Sequence, residues 1–130
     1  IRKNILVMSD EIYEYIVFDH EHVSLLNIAP DLKDRVALIN GFSKGFAMTG
    51  WRLGYLAGPE ELVKAVSKIQ SQETSAPSTI SQAAGLAAYS GTLEEVLEMR
   101  ASFKERRDFM VQELNRIDGV SCFSPGGAFY

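Results

Sequence analysis

Three short apolar runs in the first half of the chain have the pattern of buried strands. Residues 4–8, Asn-Ile-Leu-Val-Met, and residues 36–40, Val-Ala-Leu-Ile-Asn, are followed by small and polar residues. Such runs are typical of strands buried on both faces of a sheet that helices cover. A third strand is predicted within residues 52–58, which end in glycine before a proline. One sheet is predicted, with Asp10 and Lys44 beyond strand ends, where ligands collect in open α/β sheets.

The chain after Pro59 changes to helical periodicity. A first amphipathic helix is predicted from its apolar positions Leu62, Ala65, Val66 and Ile69. Residues 70–78 are polar and are expected to connect it to the next helix. That second helix is predicted to begin near Thr79, where Gln82 can complete a capping box, and to end at Gly91.

The longest helix is predicted over residues 92–118, opened by a capping box of Thr92 with Glu95. Its apolar stripe consists of Val96, Met99, Phe103, Met110, Leu114 and Ile117. At about 1.5 Å per residue this helix would extend roughly 40 Å, which is longer than a small domain needs. We therefore predict that it joins a domain of residues 1–91 to a second domain that begins with residues 119–130.

Composition and charge narrow the function classes. The chain has 130 residues, 46% of them hydrophobic, which suffices for a domain-sized core, and no apolar run is long enough to cross a membrane. The 13 Lys and Arg against 17 Asp and Glu give a net charge of -4, without a basic block. Nucleic acid is therefore not expected as a partner. The chain stops where another strand is expected to start, so we expect a piece of a longer protein.

The single cysteine and the two histidines do not predict a metal site. Cys122 is expected to be a small buried side chain in a strand over residues 120–123. Because it has no partner for a disulfide or a metal, a reducing cytoplasmic setting is expected. His20 and His22 lack metal-ligand spacing and are expected to be solvated.

The segment over residues 40–55, Asn-Gly-Phe-Ser-Lys-Gly-Phe-Ala-Met-Thr-Gly-Trp-Arg-Leu-Gly-Tyr, carries a family resemblance. It closely resembles the cofactor-lysine segment of fold-type I pyridoxal-phosphate enzymes, in particular the aspartate aminotransferase family. Residues 9–13, Ser-Asp-Glu-Ile-Tyr, resemble the upstream pyridine-binding segment of that family. The resemblance covers essentially the whole chain. It implies an α/β fold, the later part of a three-layer αβα large domain with a mostly parallel sheet, followed by the start of the small domain.

The resemblance implies that Lys44 binds pyridoxal phosphate through a Schiff base. In the family the substrate amine displaces this lysine, and the freed amine then moves the proton of the substrate α carbon. Lys44 would therefore be both the covalent anchor and the catalytic base. A lysine in a loop is by itself weak evidence for such a role, and the surrounding segment carries the assignment.

Two residues of the upstream segment match family positions that contact the cofactor ring. Asp10 would lie against the pyridine nitrogen, where a carboxylate favours the protonated ring and makes the cofactor a better electron sink. The alternative for Asp10 is a carboxylate that caps a turn at a strand end. Tyr13 would donate its hydroxyl to the ring oxygen. Tyr15 is a competing candidate that the family pattern disfavours.

Residues near Lys44 match the family's phosphate site. Arg52 would pair with the phosphate through two parallel hydrogen bonds, for which a planar guanidinium is better suited than an ammonium group. Ser43 could add a hydroxyl, although many members place that hydroxyl three residues before the lysine, where this chain has Gly41. Phe42 and Trp51 are expected to be packing residues.

The resemblance implies an aminotransferase that moves an amino group between an amino acid and a 2-oxo acid. The expected amino donor is aspartate or an aromatic amino acid. The resemblance also implies a homodimer. Alternatives are another fold-type I enzyme, such as a C-S lyase or a decarboxylase, and a non-catalytic aminotransferase-like domain of a transcription regulator. Several of the family's cofactor and substrate contacts lie outside these 130 residues, so we expect the piece by itself to be inactive.

Overall fold

The computed structural model describes residues 4–130, and the chain falls into two compact units. The first contains the described residues up to Ile12 together with Val23–Gly91. The second contains Tyr13–His22 and Thr92–Tyr130. The predicted domain division at residues 1–91, 92–118 and 119–130 stays a prediction.

The first unit is built on a three-stranded sheet, as the apolar runs predicted, although its first strand begins only at Val7, three residues after the start of the predicted run. Its strands are β1 (Val7–Asp10), β2 (Val36–Gly41) and β3 (Gly54–Ala57), in the order β1-β2-β3. The pairing is mixed, since β1 runs parallel to β2 and β3 runs antiparallel to it. Together with the helices, this gives the predicted α/β class.

Burial differs from the prediction along β1. Val36 at the start of β2 is fully buried, but burial alternates along β1 and Met8 is 72% exposed. The expectation that this strand is buried on both faces is therefore wrong for the described part of the chain. An apolar run fixes which residues prefer burial, whereas burial on both faces also requires a covering layer on each side.

The helices of the first unit follow the predicted order. They are α1 (Leu25–Ile28), α2 (Glu60–Glu73) and α3 (Thr79–Ser90), with two short 3-10 helices at Pro30–Leu32 and Thr49–Trp51. The predicted polar connection is shorter than expected, because α2 continues to Glu73. Gly91 ends α3, as predicted.

Both predicted capping boxes are wrong. The residue before α3 is Ser78, and the Gln82 side-chain amide donates to the carbonyl of Pro77 at 2.9 Å instead of accepting from a helix N–H. Helix α4 (Glu94–Leu114) begins after Leu93, so Thr92 lies outside the capping position. The sequence pattern marked the start of each helix within two residues, but it did not give the side-chain contacts there.

Helix α4 ends at Leu114, earlier than predicted, and is about 32 Å long at 1.5 Å per residue. The Asn115 side chain causes the chain to turn back. Its amide donates to the carbonyls of Val111 at 2.8 Å and Cys122 at 3.0 Å, and its carbonyl accepts from the Cys122 N–H at 2.8 Å. The predicted strand over residues 120–123 is absent from the described structure, and Cys122 is half-buried outside any strand.

In the second unit, Arg107 joins helix α4 to two other segments. Its side chain is only 7% exposed and forms an ion pair with Asp19. It also donates to the Pro125 carbonyl at 2.7 Å and lies 4.9 Å from the centre of the Phe18 ring. The hydrogen bond from Arg107 lowers the pKa of the Asp19 carboxyl below its ordinary value. An antiparallel bridge between Val17 and Gly127 joins the same two segments.

Within residues 4–130, no helix is both long and apolar enough to span a bilayer.

Candidate functional site

Strand register brings four predicted site residues to one edge of the sheet. Asp10 is the last residue of β1 and pairs with Ile39 of the parallel β2, so both strands end at this edge. Ser43 and Lys44 follow the last residue of β2. Since β3 is antiparallel, with Gly54 opposite Gly41, its first residue lies at the same edge, and Arg52 comes two residues earlier. A carboxylate, a hydroxyl, an amine and a guanidinium therefore extend from one end of the sheet.

Asp10 is exposed at this edge, and the backbone around it is ordered by hydrogen bonds. The N–H of Glu11 donates to the Ile39 carbonyl at 2.9 Å and extends the pairing of β1 by one residue. One Asp10 carboxylate oxygen, Oδ1, accepts from the N–H of Ile12 at 3.2 Å. Oδ2 has no hydrogen-bond partner in the described structure. The turn contact that was considered as an alternative role for Asp10 is therefore present, and it uses only one of the two oxygens.

Glu11 is a buried carboxylate to which neither the residue pattern nor the family resemblance assigns a role. The residue is 6% exposed, and its Oε1 accepts from the Ser9 hydroxyl at 3.0 Å, the Ser24 hydroxyl at 2.9 Å and the Leu25 N–H at 3.3 Å. A buried carboxylate requires such donors, because an unpaired charge is costly away from water. Ser9 could have been anticipated, since alternate strand residues share a face. Ser24 and Leu25 could not, because they are distant in sequence.

Lys44 lies in a tight loop that follows β2 and is half-buried. Its carbonyl accepts from the Ala47 N–H at 3.1 Å, and the Phe42 carbonyl accepts from the Met48 N–H at 3.1 Å. The Phe42 side chain is 6% exposed and its ring centre lies 4.7 Å from that of Tyr89 in α3. Phe42 is therefore a packing residue, as predicted, and it anchors the loop that carries Lys44.

Arg52 is exposed and has a left-handed backbone conformation, with φ 52° and ψ 49°. This region is rare for residues other than glycine, and it costs on the order of 1–3 kcal/mol where the surrounding structure holds it. One guanidinium nitrogen, Nη1, donates to the Thr49 carbonyl at 2.8 Å. Trp51, which was expected to pack, is 44% exposed.

The backbone at Gly41 leaves little room for a side chain three residues before Lys44. A Cβ atom at this position would lie 3.0 Å from both the Gly54 Cα and the Leu53 carbonyl oxygen, which are backbone atoms that cannot easily move. The close approach of β2 and β3 therefore favours glycine at this position. Ser43, which is half-buried, is the hydroxyl residue next to the lysine.

Tyr13 belongs to the second unit, where its ring packs edge-on against two aromatic rings. The centres of Phe129 and Tyr130 lie 5.5 Å and 5.6 Å from that of Tyr13. Its carbonyl accepts from the Ile16 N–H at 2.8 Å in a turn. Tyr15, the competing candidate, is half-buried in the same turn. The predicted role of Tyr13 at the cofactor ring stays a prediction.

The second unit also contains an apolar cavity of about 530 Å³. It is lined by aromatic residues that include Phe103, Phe129 and Tyr130 and by the Arg107 side chain, and by none of the predicted site residues. His20 and His22 are exposed, as expected. Over residues 4–130, no group of three or more His, Cys, Asp or Glu side chains is arranged to hold a metal ion.

Comparison with known proteins identifies the family. The family described as aminotransferase class I and II matches residues 1–130. An aspartate aminotransferase of Rhizobium meliloti is 48% identical over 128 residues, which are 98% of this chain and 31% of the relative. The crystal structure of the aspartate aminotransferase from Rhizobium meliloti matches with a TM-score of 0.92, at 48% identity over 95% of this chain and 31% of that one.

An aromatic aminotransferase from Pyrococcus horikoshii also has a TM-score of 0.92, at 35% identity over 98% of this chain and 34% of its own. The chain thus spans 31% of the length of the Rhizobium meliloti relative. It spans 32% of the length of an aspartate aminotransferase from Geobacillus stearothermophilus. The match extends along its entire length and includes the strands, loops and helices around Lys44. The chain belongs to the aminotransferase class I and II family.

Proposed function

We propose that the full-length protein is a pyridoxal-phosphate-dependent aminotransferase that moves an amino group between an amino acid and a 2-oxo acid. The observation that carries the proposal is the strand register, which gives Asp10, Lys44 and Arg52 a common sheet edge. Family membership supports the same reaction class.

The chemistry of these side chains fits pyridoxal phosphate. The cofactor, when bound, acts as an electron sink for the substrate α carbon. The Lys44 amine would hold it covalently, and the Asp10 carboxylate would face its ring nitrogen through Oδ2. The Arg52 guanidinium, with the Ser43 hydroxyl, would bind its phosphate. Tyr13 would donate to the ring oxygen.

Lys44 would also move a proton. When it is not bonded to the cofactor, its Nζ would be the amine that accepts the proton from the substrate α carbon. The loop anchored by Phe42 would limit the positions that Nζ can reach. Restricted motion of this kind matters, because proton transfer requires a donor and an acceptor at hydrogen-bond distance.

Names of relatives support the choice of donor. The Rhizobium meliloti relative is named as an aspartate aminotransferase, and the Pyrococcus horikoshii structure as an aromatic aminotransferase. We propose aspartate or an aromatic amino acid as the donor. We also propose that the protein forms a homodimer, on the basis of the family resemblance. We propose a cytoplasmic location, because the single cysteine has no disulfide partner.

Amino-transfer assays of the full-length protein test this proposal. With 2-oxoglutarate as acceptor, we expect turnover with aspartate or an aromatic donor, and Lys44→Ala should reduce kcat by at least about 100-fold, the low end for a lost general base. Lys68→Ala, which removes an exposed lysine of α2, is the matched control and should leave kcat unchanged. Undiminished turnover by a folded Lys44→Ala variant would contradict the proposed role.

A further inference from the structure

We propose that Glu11 is a positioning residue that holds the Asp10 carboxylate in place for the cofactor ring. This inference rests on the proposed function. It assigns a role to the one carboxylate near the sheet edge that is buried, since Glu11 is 6% exposed while Asp10 next to it is exposed.

Glu11 and one of its hydrogen-bond partners, Ser9, are the two neighbours of Asp10 in the sequence. The Glu11 Oε1 accepts from the Ser9 hydroxyl, on the residue just before Asp10, at 3.0 Å. The same oxygen accepts from the Ser24 hydroxyl at 2.9 Å and the Leu25 N–H at 3.3 Å, at the start of α1. The end of β1 is thus fixed to a segment that begins 13 residues later, through a side chain adjacent to Asp10.

Asp10 itself has few contacts that could orient it. Its carboxylate is exposed and has a single described hydrogen bond, from the Ile12 N–H at 3.2 Å. Neighbouring side chains on an extended strand point to opposite faces, so a fixed Glu11 on one face, together with the pairing of β1 with β2, sets the direction of Asp10 on the other. The orientation of Asp10 therefore depends on a backbone that the strand pairing and the Glu11 side chain hold together.

Two properties of Glu11 could matter, its geometry and its charge, and two variants separate them. Glu11→Gln keeps an oxygen that can accept from Ser9, Ser24 and Leu25, but it removes the charge. Glu11→Ala removes both. Because the proposal concerns position, the glutamine variant should restore most of what the alanine variant loses.

Cofactor binding by the full-length protein provides the measurement. We expect Glu11→Ala to weaken the apparent affinity for pyridoxal phosphate on the order of 10- to 100-fold, the range seen when a group that orients a ligand-binding residue is removed. We also expect the pH midpoint of the bound cofactor's absorption change to rise. Without the Asp10 contact, the ring nitrogen would lose its proton and with it the positive charge. That charge would then no longer oppose protonation at the Lys44 nitrogen.

Further variants test whether a folding defect, and not a loss of positioning, explains the effect of Glu11→Ala. Ser24→Ala removes only one donor to Glu11 and should shift affinity and midpoint in the same direction by a smaller amount. Its matched control is Ser71→Ala, whose hydroxyl contacts only the Lys68 carbonyl within α2. Glu105→Ala, at an exposed position of α4, controls for loss of a carboxylate.

The outcomes separate this inference from the proposed function. If the wild-type protein does not bind the cofactor through Lys44, both are overturned. If it does, and Glu11→Ala and Ser24→Ala lower the unfolding temperature but leave the affinity and the pH midpoint unchanged, Glu11 is a stabilising residue only and this inference alone is overturned.

Discussion

Arg52 combines an unfavourable backbone conformation with a side chain that the proposed phosphate site requires. Its φ of 52° would suit glycine, yet the chain has an arginine there. Strained residues of this kind persist where the rest of the structure holds them, and they often occur at binding sites. The guanidinium is the feature that glycine could not supply.

Substitutions at Arg52 separate these two effects. Without cofactor, we expect Arg52→Gly to be more stable than Arg52→Ala by about 1 kcal/mol, because only alanine has a Cβ that opposes the left-handed region. Both variants should bind pyridoxal phosphate more weakly than the wild-type protein. Urea denaturation and cofactor titration measure these quantities, and wild-type affinity in Arg52→Gly would exclude Arg52 from the phosphate site.

The residue pattern indicates candidate groups for the proposed site, but it does not indicate what would orient them. Asp10, Ser43, Lys44 and Arg52 are predicted from short segments whose spacing is local, and their roles stay predictions. Glu11 is not predicted in this way, because its buried state depends on donors from Ser24 and Leu25, and no local pattern indicates that contact.

Helix α3 packs closely against the loop that carries Lys44, and Gly85 is the point of approach. A Cβ on this buried glycine would lie 2.4 Å from the Leu53 Cδ2 and 3.0 Å from the Phe42 Cζ. Leu53 is flexible at that end, but the Phe42 ring is buried among Phe46, Tyr55 and Tyr89. The Lys44 loop is therefore supported by α3 through Phe42.

Gly85→Ala tests this packing. Alanine favours a helix over glycine by roughly 1 kcal/mol, whereas overpacking costs about 1–3 kcal/mol, so we expect a net loss of stability. Gly50→Ala is the matched control, because a Cβ there would have no neighbour within 4 Å. Thermal denaturation of the full-length variants provides the measurement, and an increased melting temperature for Gly85→Ala would contradict the close approach.

The contact of helix α4 with residues 13–22 depends on an ion pair and therefore on pH. Arg107 lowers the pKa of the Asp19 carboxyl in the folded state, mainly through a hydrogen bond. Asp19 thus contributes stability above its ordinary pKa, near 3.9, and the contribution is lost as the pH falls through the lower folded-state value.

We expect Asp19→Asn to be less stable than the wild-type protein at pH 7, with the difference shrinking below about pH 4. Asp118→Asn, at an exposed position without a described ion pair, is the control and should differ little from the wild-type protein at either pH. Urea midpoints at pH 7 and pH 3 give the comparison. A difference that is the same at both values would show that the Arg107 contact does not stabilise this segment.

Periodicity predicted the three strands and the order of the long helices, because apolar spacing is a local property. It failed where side chains from distant positions decide the outcome. The end of α4 is set by Asn115 and its contacts with Cys122, so the helix stops before the apolar stripe does. Exposure of Met8 likewise depends on what covers the sheet and not on the strand itself.

The chain as a whole is a member of the aminotransferase class I and II family that spans 31% of the length of a curated relative. Its sheet edge contributes a carboxylate, a hydroxyl, an amine and a guanidinium to the proposed cofactor site. The expectation that residues 1–130 are inactive by themselves stays a prediction. Activity of the intact protein is proposed from this edge together with the family.

Covalent trapping tests the central claim most directly. The full-length protein is incubated with pyridoxal phosphate and reduced with borohydride, and the modified peptide is mapped by mass spectrometry. We predict a pyridoxyl group on the Nζ of Lys44, and no label at that position in Lys44→Ala. A folded protein that carries no label on Lys44, or that is labelled instead on another lysine such as Lys68, would contradict the account.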